Sequence, residues 1–258
     1  MKNIAIVTGA SSGIGRQLVK RLDTLGLNEI WGIALDSEGL EEVKNETQTK
    51  FVPIQMDLTN PRSIDEYKLL LEKFNPNISW LINAAGFGKF GSVEEIGTDT
   101  ALNMIDLNIK ALVALSELSI PYMSELGRIV NVSSVGAFQP TPYMNVYAAS
   151  KTFVLNYSNA LNVELKNKNV SVTAVCPFWT KTKFFDRAEQ KDAVVTKYIA
   201  LYESDFVADK IMKAATKRKM TYVIGFVSKL QVMLVKLLPK KLVMWVWKKQ
   251  QKLDKRYN

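Results

Sequence analysis

Seven short apolar runs, separated by amphipathic segments, limit the fold of this chain more than any other feature. The segments between the runs, such as GIGRQLVKRLDTLG and RSIDEYKLLLEKF, carry apolar residues three and four positions apart, which is the period of an α-helix. The runs are apolar at consecutive positions, as in parallel strands that are buried on both faces. They read NIAIVT, EIWGIAL, FVPIQM, SWLINA, RIVNVS, VSVTAVC and TYVIG. This alternation predicts an α/β fold with a doubly wound parallel sheet of about seven strands and helices on both faces.

Length and charge divide the chain into a core and a tail. A chain of 258 residues is commonly a single unit in α/β folds, and no linker rich in Pro, Gly or Ser interrupts it. The net charge is +9, yet residues 220–258 hold nine Lys/Arg and a single acid, so the rest of the chain is nearly neutral. We predict one core domain over residues 1–225 and a basic, amphipathic helical extension over residues 226–258. Such a local charge favours contact with anionic lipid or a partner over nucleic-acid binding.

Two residue types narrow the chemistry. Cys176 is the single cysteine, which excludes an internal disulfide, and the start MKNIAIVTG lacks the pattern of a signal peptide. We therefore expect a reducing, cytoplasmic setting. Histidine is absent, so a Ser-His triad and an imidazole metal site are impossible within this chain, and no metal site is expected. The chemistry must use tyrosine, lysine, serine, carboxylates or a cofactor.

A glycine-rich turn follows the first apolar run. It reads TGASSGIG, from Thr8 to Gly15, and leads into the first amphipathic segment. Glycines at positions 9, 13 and 15 allow a sharp turn and bring backbone N–H groups close to a pyrophosphate at the start of the helix. The turn therefore predicts a dinucleotide site beyond the first strand.

Further motifs occur in a fixed order along residues 3–225. After the glycine turn come MDL at 56–58, NAAG at 83–86, LN at 107–108, NVSS at 131–134, YAASK at 147–151 and CPFWTKT at 176–182. Together they resemble the short-chain dehydrogenase/reductase family in its compact, Rossmann-fold form, of the hydroxysteroid-dehydrogenase-like type. The resemblance implies an NAD(P)-dependent oxidoreductase that acts on CH–OH and C=O groups.

The resemblance also implies a set of cofactor contacts. Asp57 and Leu58 would hold the adenine edge, Asn83 would brace the sheet, and residues 84–86 would line the adenosine ribose. The predicted cofactor-binding residues are Gly9, Ser11, Ser12, Gly13, Ile14, Gly15, Asp36, Asp57, Leu58, Asn83, Ala84, Ala85, Gly86, Tyr147, Lys151, Pro177, Thr180 and Thr182. Phe178 departs from the Pro-Gly pair that is common in the family, so we expect the backbone beside the nicotinamide to be displaced.

The choice between NAD and NADP rests on the end of the second strand, GIALDSEG. The resemblance implies that users of NAD carry an acidic residue at the position that Ala34 holds here. Users of NADP carry an arginine at the position of Leu35 or a basic residue at the position of Ser12. Neither signature is present. Asp36 lies near the spacing at which an acid accepts hydrogen bonds from a ribose hydroxyl, and its charge would repel a 2′-phosphate. We expect NAD with a slight preference and leave NADP as the alternative.

Tyr147 and Lys151 form the predicted catalytic pair. They lie four residues apart and hence on one helical face, where the lysine charge, together with that of oxidised nicotinamide, would lower the pKa of the phenol from its free value of about 10. By the resemblance, Lys151 also binds the nicotinamide ribose, Ser134 orients the substrate carbonyl, and Asn108 supports a water that links Lys151 to solvent. The family spacing of serine and tyrosine selects Ser134 over Ser133. The predicted catalytic residues are therefore Asn108, Ser134, Tyr147 and Lys151.

The segment between Pro177 and Phe206 forms the substrate-covering flap in this family. Here it is rich in aromatic residues, which favours a hydrophobic substrate such as a hydroxysteroid. The predicted substrate contacts are Ser134, Tyr143, Tyr147, Trp179 and Phe184. Two alternatives stay open: a 3-oxoacyl reductase of lipid synthesis, and a cofactor-binding sensor or membrane scaffold without turnover.

The extension reads as two helices on either side of Pro239. Its charges interrupt the apolar runs, so a spanning segment is not expected. Lysines 229, 236 and 240 are predicted to share a helical face opposite Leu230, Met233, Leu234 and Leu237, and the second helix carries two tryptophans. A helix of this type packs on the same chain as a lid, packs on another subunit, or lies at a membrane surface. We expect a homodimer or homotetramer and leave peripheral membrane contact open.

Overall fold

The central sheet has the predicted number and direction of strands. The computed structural model describes residues 1–188, 195 and 197–253, apart from the side chains at positions 186 and 187. Seven parallel strands form the sheet in the order β3-β2-β1-β4-β5-β6-β9, and two three-residue strands, β7 and β8, pair beside it. The strands are β1 Asn3–Thr8, β2 Glu29–Ala34, β3 Lys50–Gln55, β4 Asn77–Asn83, β5 Met123–Val132, β6 Ser171–Cys176, β7 Trp179–Lys181, β8 Leu201–Glu203 and β9 Thr221–Val223. The doubly wound parallel sheet is confirmed.

Helices cover both faces of this sheet. They are α1 Gly13–Leu22, α2 Ser37–Glu46, α3 Pro61–Phe74, α4 Val93–Ile96, α5 Thr98–Ile105, α6 Leu112–Ser119, α7 Asn145–Glu164, α8 Phe184–Ala188, α9 Ser204–Thr216, α10 Phe226–Leu237 and α11 Lys240–Gln250. A π-helical turn, Asp106–Ala111, joins α5 to α6, and short 3-10 turns span Ile120–Tyr122, Val135–Phe138 and Leu165–Lys168.

The core consists of two apolar layers, one on each side of the sheet. Because successive side chains of a strand point to opposite faces, β1 divides its residues between the layers. Ala5 and Val7 pack with residues of α1 and α9, whereas Ile4 and Ile6 pack with residues of α3, α6 and α7. Burial on both faces explains why the strands are apolar at consecutive positions.

The order of the strands determines where a ligand can bind. The chain runs outward from β1 to β3 on one side and from β4 onward on the other, so β1 and β4 are neighbours with diverging connections. A crevice forms beyond the carboxyl ends of two such strands, and open α/β sheets bind ligands there. The glycine turn after β1 and the NAAG segment after β4 meet at this crevice.

The extension packs on the core through few residues of each helix. In α10 the buried positions are Ser228 and Val232, and in α11 they are Val243 and Trp247. Gln251 anchors the end of the extension, because its side chain accepts from the Lys197 backbone N–H and donates to the Lys197 carbonyl, both at 3.0 Å. None of the helices in the described ranges has the length and apolar character needed to cross a bilayer.

One expectation for the extension is wrong. Leu230, Met233, Leu234 and Leu237 are exposed, as are Lys229 and Lys236, and Met233 adjoins Lys229 rather than opposing it. The geometric reason is that Met233 follows Lys229 by four residues, which places the two on the same side of a helix. Lys240 belongs to α11, beyond Pro239. The division into residues 1–225 and 226–258 stays a prediction.

Glu29 connects three side chains at the amino end of the sheet. It is 5 % exposed and accepts hydrogen bonds from Lys2, from Trp31 Nε1 at 3.0 Å and from Lys50 Nζ at 3.0 Å. Burial alone would raise the pKa of this carboxyl group, but the hydrogen bonds outweigh burial and lower the pKa to about 2. The charged form is therefore the one that the fold stabilises.

We predict that Glu29→Gln lowers the free energy of unfolding at pH 7 by roughly 1–2 kcal/mol, because the lysine partners are partly exposed and the interaction is screened. Because folding lowers the pKa of Glu29, its contribution to stability is fully present above pH 4.5, the pKa of this group in the unfolded chain. That contribution is lost as the pH falls toward 2. Urea unfolding at pH 7 and pH 3 measures both effects. Glu125→Gln, at an exposed position, is the control. An equal loss at the two pH values would contradict the assignment.

Candidate active site

A cavity of about 730 Å³ occupies the carboxyl edge of the sheet. Its volume lies within the usual range of about 300–1,000 Å³ for ligand pockets. All but one of the predicted cofactor-binding residues line it, the exception being Asn83. The predicted cofactor-binding residues that line the cavity are Gly9, Ser11, Ser12, Gly13, Ile14, Gly15, Asp36, Asp57, Leu58, Ala84, Ala85, Gly86, Tyr147, Lys151, Pro177, Thr180 and Thr182.

The glycine turn brings the first turn of α1 against the end of β1. Gly9 has a φ of +67°, in the left-handed region that favours glycine. A Cβ atom at Gly15 would lie 2.1 Å from the Gly9 carbonyl oxygen, so only glycine fits at that position. Ser12 precedes α1 in an extended conformation and does not cap the helix with its side chain. Backbone N–H groups at the start of α1 can therefore bind a pyrophosphate.

Thr8 links this turn to the NAAG segment, a role that the sequence did not indicate. Its Oγ1 atom accepts hydrogen bonds from the Ala84 N–H at 3.1 Å and the Ala85 N–H at 3.0 Å. The two loops that border the crevice are thus held together by a buried hydroxyl at the end of β1.

Asn83 braces the sheet and does not line the cavity. It is buried, and its Nδ2 atom donates to Asn131 Oδ1 at 2.8 Å and to Ser116 Oγ at 3.0 Å. The side chain therefore joins β4 to β5 and α6. Its inclusion among the direct cofactor contacts is not supported by this geometry, whereas the bracing role is.

Two acids lie at the adenosine end of the cavity. Asp36 accepts from the Gly39 N–H at 3.0 Å and so caps α2, while Asp57 accepts from the Thr59 N–H at 3.0 Å and the Thr59 hydroxyl at 2.7 Å. Both residues line the cavity. Among the described residues, three lysines line the cavity, Lys89, Lys151 and Lys183, and none of them neighbours either acid in the sequence.

The basic residues of α1 do not reach this end. Arg16 pairs with Glu42 at 2.8 Å, and Lys20 pairs with Glu46 at 3.0 Å. These ion pairs join α1 to α2 outside the cavity lining. The acids at the end of β2 and after β3 therefore face no cation from α1.

Ser134 and Tyr147 meet inside the cavity. Both residues line the cavity, the Ser134 side chain acts on the phenol of Tyr147 to lower its pKa, and the Ser134 hydroxyl accepts from the Gly136 N–H at 3.1 Å. Ser133 points the other way, because its buried hydroxyl donates to the Lys151 carbonyl at 2.7 Å. The two serines thus have separate positions, and the one beside the phenol is the one that the family spacing selected.

Lys151 lies beneath the tyrosine. It is 5 % exposed, its Nζ atom donates to the Val132 carbonyl at 2.9 Å, and Nζ lies 5.8 Å from the centre of the Tyr147 ring. Burial lowers the pKa of Lys151 to about 8. The ammonium group is therefore still largely protonated at neutral pH, although the fold has reduced its basicity.

The protein groups by themselves do not lower the pKa of Tyr147. Burial raises it to about 12, and the hydrogen bond to Ser134 offsets only part of that effect. The charge of Lys151 does not make this phenol more acidic than a free tyrosine when the protein groups act alone. Tyr147 is thus a protonated donor at neutral pH, and a further positive charge nearby is needed to favour the phenolate.

Asn108 supports the pair from outside the cavity lining. It lies in the π-helical turn and is 1 % exposed. Its Oδ1 atom accepts from the Phe87 N–H at 3.1 Å, and its Nδ2 atom donates to the Phe87 carbonyl at 2.9 Å. Its Nδ2 atom also donates to Ser150 Oγ at 3.1 Å, and Ser150 in turn donates to the Tyr147 carbonyl at 2.7 Å. Single π turns inside helices are frequent at functional sites, as here. The predicted water relay stays a prediction.

The other end of the cavity is aromatic. Trp179 and Phe184, two of the predicted substrate contacts, line this end together with Phe178 and Phe185. The ring centres of Phe184 and Tyr147 are 5.5 Å apart. Tyr143 does not line the cavity: it packs with the apolar cluster behind the wall and has a φ of +64°. Residues 189–194 and 196 of the predicted flap lie outside the described residues.

The expected displacement of the backbone at Phe178 stays a prediction. The φ of Phe178 is not among the positive values of the described residues, so the position does not require glycine. Its carbonyl accepts from Thr180 Oγ1 at 3.0 Å. The methyl group of Thr182 lies 3.0 Å from the place that a Gly13 Cβ would take, which puts Thr182 directly across from the glycine turn.

The extension supplies two cavity residues that sequence reasoning missed. Trp247 lines the cavity from α11 and donates from Nε1 to the Pro142 carbonyl at 3.0 Å. Gln231 lines it from α10 and donates to Gln139 Oε1 at 3.3 Å. A tryptophan in a basic tail was the only signal, and it did not indicate which surface the residue contacts.

These features define a class of protein. A doubly wound sheet with a glycine turn at its switch point binds a dinucleotide, and a phenol held between a serine and a lysine can move a proton at a carbonyl or hydroxyl oxygen. A Cβ at Gly9 or Gly15 would lie against backbone atoms, so both glycines are needed for the close packing of the turn, α1 and the NAAG segment at the edge of the cavity where the pyrophosphate of such a cofactor would lie. The class is that of the nicotinamide-dependent oxidoreductases.

Comparisons with known proteins identify the family. Residues 3–193 match the short chain dehydrogenase family. The probable short-chain type dehydrogenase/reductase VdlC of Helicobacter pylori is 30% identical over 257 residues, which cover 92% of this chain and 93% of that protein. This protein therefore belongs to the short-chain dehydrogenase/reductase family and is an NAD(P)-dependent oxidoreductase.

Two solved structures agree with this fold. A short-chain dehydrogenase from Sphingobium yanoikuyae in complex with NADPH is 28% identical, covers 90% of this chain and 92% of its own, and has a TM-score of 0.78. The 3-ketoacyl-(acyl-carrier-protein) reductase from Brucella melitensis, complexed with NADH, is 23% identical, covers 86% of this chain and 96% of its own, and has a TM-score of 0.73. At that identity, the second likeness concerns the fold alone.

We predict that Gly15→Ala weakens NADH binding at least about tenfold, because the new Cβ would overlap a backbone oxygen and push α1 away from the pyrophosphate site. Quenching or enhancement of NADH fluorescence on titration measures the affinity. Gly26→Ala is the control: its φ is +68° and the space around it is open. It should cost about 1 kcal/mol of stability and leave NADH affinity unchanged. Equal affinity in the two variants would exclude the pyrophosphate assignment.

Proposed function

We propose that this protein interconverts a secondary alcohol and a ketone on a hydrophobic substrate, with a hydroxysteroid or a molecule of similar shape as the best fit. The observation that carries the proposal is the contact between Ser134 and Tyr147 in a cavity that is polar at the glycine turn and aromatic at the opposite end. Lys151 and Asn108 support this contact from behind.

The residues divide the reaction between them. Bound NAD(P)H supplies the hydride to the carbonyl carbon in the direction of reduction. Ser134 donates a hydrogen bond that orients the carbonyl oxygen, and Tyr147 transfers its phenolic proton to that oxygen as the alkoxide forms. In oxidation the same phenol accepts the proton. A pKa of about 12 keeps the phenol protonated at neutral pH, which is the form that donates the proton in reduction.

The wall of the cavity supports the apolar substrate. Trp179, Phe184 and Phe185 line it from the flap, and Trp247 lines it from the extension. Wide aromatic surfaces bind rigid, apolar molecules without many hydrogen bonds. The alternative is a 3-oxoacyl reductase, in which a fatty acyl chain would occupy the same wall. An NADH-consumption assay with steroid ketones and acyl thioesters separates them, since turnover of thioesters alone would reject the steroid version.

We further propose that NAD is preferred over NADP. Asp36 lines the cavity at the end of β2, and no described lysine or arginine lines the cavity beside it. A carboxylate at this position accepts hydrogen bonds from a ribose 2′-hydroxyl and repels a 2′-phosphate. The Sphingobium relative binds NADPH, so the preference depends on this end of the cavity and not on the family.

We predict that Asp36→Ser raises the affinity for NADPH relative to NADH about tenfold, because it removes the negative charge beside the 2′-position. Serine retains the ability to cap α2, which alanine would lose. Titration of each variant with NADH and with NADPH measures the ratio. Asp65→Ser, at a charged position outside the cavity lining, is the control. An unchanged ratio would remove Asp36 from the assignment.

We predict that Tyr147→Phe lowers kcat by a factor of at least about 10² in either direction and leaves NADH affinity within a few-fold of the parent, because only the transferred proton is removed. Steady-state assays on an accepted ketone and NADH titration provide the two readouts. Tyr122→Phe, outside the cavity lining, should change neither. Full activity of Tyr147→Phe would refute the phenol mechanism. A parent that binds NADH but turns over no ketone or alcohol would favour the non-catalytic sensor.

Several expectations for partners and location stay proposals. The homodimer or homotetramer, the absence of nucleic-acid binding and the cytoplasmic setting follow from the family and from composition. Peripheral membrane contact through the extension has additional structural support, since the two extension helices expose apolar side chains.

A further inference from the structure

The outward face of α10 is apolar. Phe226, Leu230, Met233 and Leu237 are four, three and four residues apart, so they form one stripe along the helix. Their side chains are exposed, with Phe226 at 82 % and Leu237 at 76 %. The helix instead buries Ser228 and Val232 against the core. We call these four exposed residues the apolar stripe.

The second helix also exposes apolar side chains. In α11, Leu242, Trp245 and Val246 are exposed, while Val243 and Trp247 face the core. Scattered exposed apolar residues are normal on soluble proteins, but an aligned set such as the apolar stripe of α10 marks an interaction site. Both helices pack on the core through few residues, which leaves the apolar stripe exposed.

The charge around the stripe is of one sign. Residues 220–253 contain seven lysines and no acidic residue. Lys229 and Lys236 border the stripe, with their ammonium groups 5.3 Å from the ring centres of Tyr222 and Phe138, and Lys240 and Lys241 begin α11. Apolar side chains between lysines match the boundary between acyl chains and phosphate groups of an anionic bilayer.

We propose that the apolar stripe and the bordering lysines dock this protein on an anionic phospholipid bilayer, with the stripe inserted among the lipid tails and the lysines on the phosphates. Each lysine near such a surface adds electrostatic attraction to the anionic lipids, and the stripe adds the burial of four large side chains. Binding by this surface does not depend on turnover and is separate from the proposed function.

A second copy of this chain fits the surface less well. A two-fold symmetric contact through α10 would bring the same lysines of both copies together, without an acidic residue of residues 220–253 to pair with them. The inner side of the same helix pair carries Gln231 and Trp247, which line the cavity. Docking therefore places the aromatic end of the cavity beside the bilayer, where apolar substrates dissolve.

Vesicle co-sedimentation tests the proposal. The full chain is mixed with vesicles of phosphatidylcholine alone or of phosphatidylcholine with phosphatidylglycerol, at low and at high salt. We expect at least about tenfold tighter binding to the anionic vesicles at low salt and a loss of that advantage at high salt. The triple variant Leu230→Ser, Met233→Ser, Leu237→Ser should bind at least about tenfold more weakly. Circular dichroism and thermal unfolding establish that each variant is folded.

Matched variants identify the cause of any loss. Leu25→Ser, Leu69→Ser and Val93→Ser replace exposed apolar residues on other helices and loops, and this control should bind as the parent does. Lys240→Glu with Lys241→Glu should remove the preference for anionic vesicles. Equal binding to both vesicle types, no binding by the parent, or an equal loss in the control variant would overturn the proposal. A parent dimer that the stripe variant converts to a monomer, without vesicle binding, would assign the surface to a second copy.

Discussion

The position of Tyr147 depends on buried hydrogen bonds between α7 and the central strands. Asn83 donates to Asn131 at 2.8 Å, and Asn131 donates to Ser158 at 2.9 Å, so β4, β5 and α7 are joined in the interior. Closer to the site, Ser133 donates to the Lys151 carbonyl and Lys151 donates to the Val132 carbonyl. Each buried polar group is costly when unpaired, so a shift of α7 along the sheet would break several bonds at once. The helix therefore has one stable position.

The two halves of the site are built by different means. The cofactor half depends on backbone shape, because Gly9 and Gly15 allow a close approach that a side chain would prevent and Thr8 fixes the opposing loop. The catalytic half depends on side chains that α7 and the loop after β5 hold in place. Burial then determines the protonation of the pair, since it disfavours both the charged lysine and the phenolate.

Much of this arrangement could be predicted from the sequence, for identifiable reasons. The seven sheet strands are short apolar runs, and the family motifs place Ser134, Tyr147 and Lys151 at the ends of regular elements. Strands β7 and β8, with the sequences WTK and LYE, escaped prediction because they are short and each includes a charged residue. The contact of Trp247 with Pro142 could not be predicted, since the two are 105 residues apart in the chain. The face of α10 that packs on the core could not be predicted either, because the small residue Ser228, and not a leucine, faces the core.

The wall of the pocket is assembled from segments that are remote from the chemistry. Trp247 shares an apolar cluster with Phe90 and Met144, and Tyr147 and Phe184 pack against that cluster. The glycine turn and the serine, tyrosine and lysine all precede residue 152, whereas the flap and the extension follow them. The residues proposed for proton transfer thus lie in the first part of the chain, and the last part completes the aromatic wall of the cavity. A relative with a different tail would inherit the reaction and acquire a different set of molecules on which to perform it.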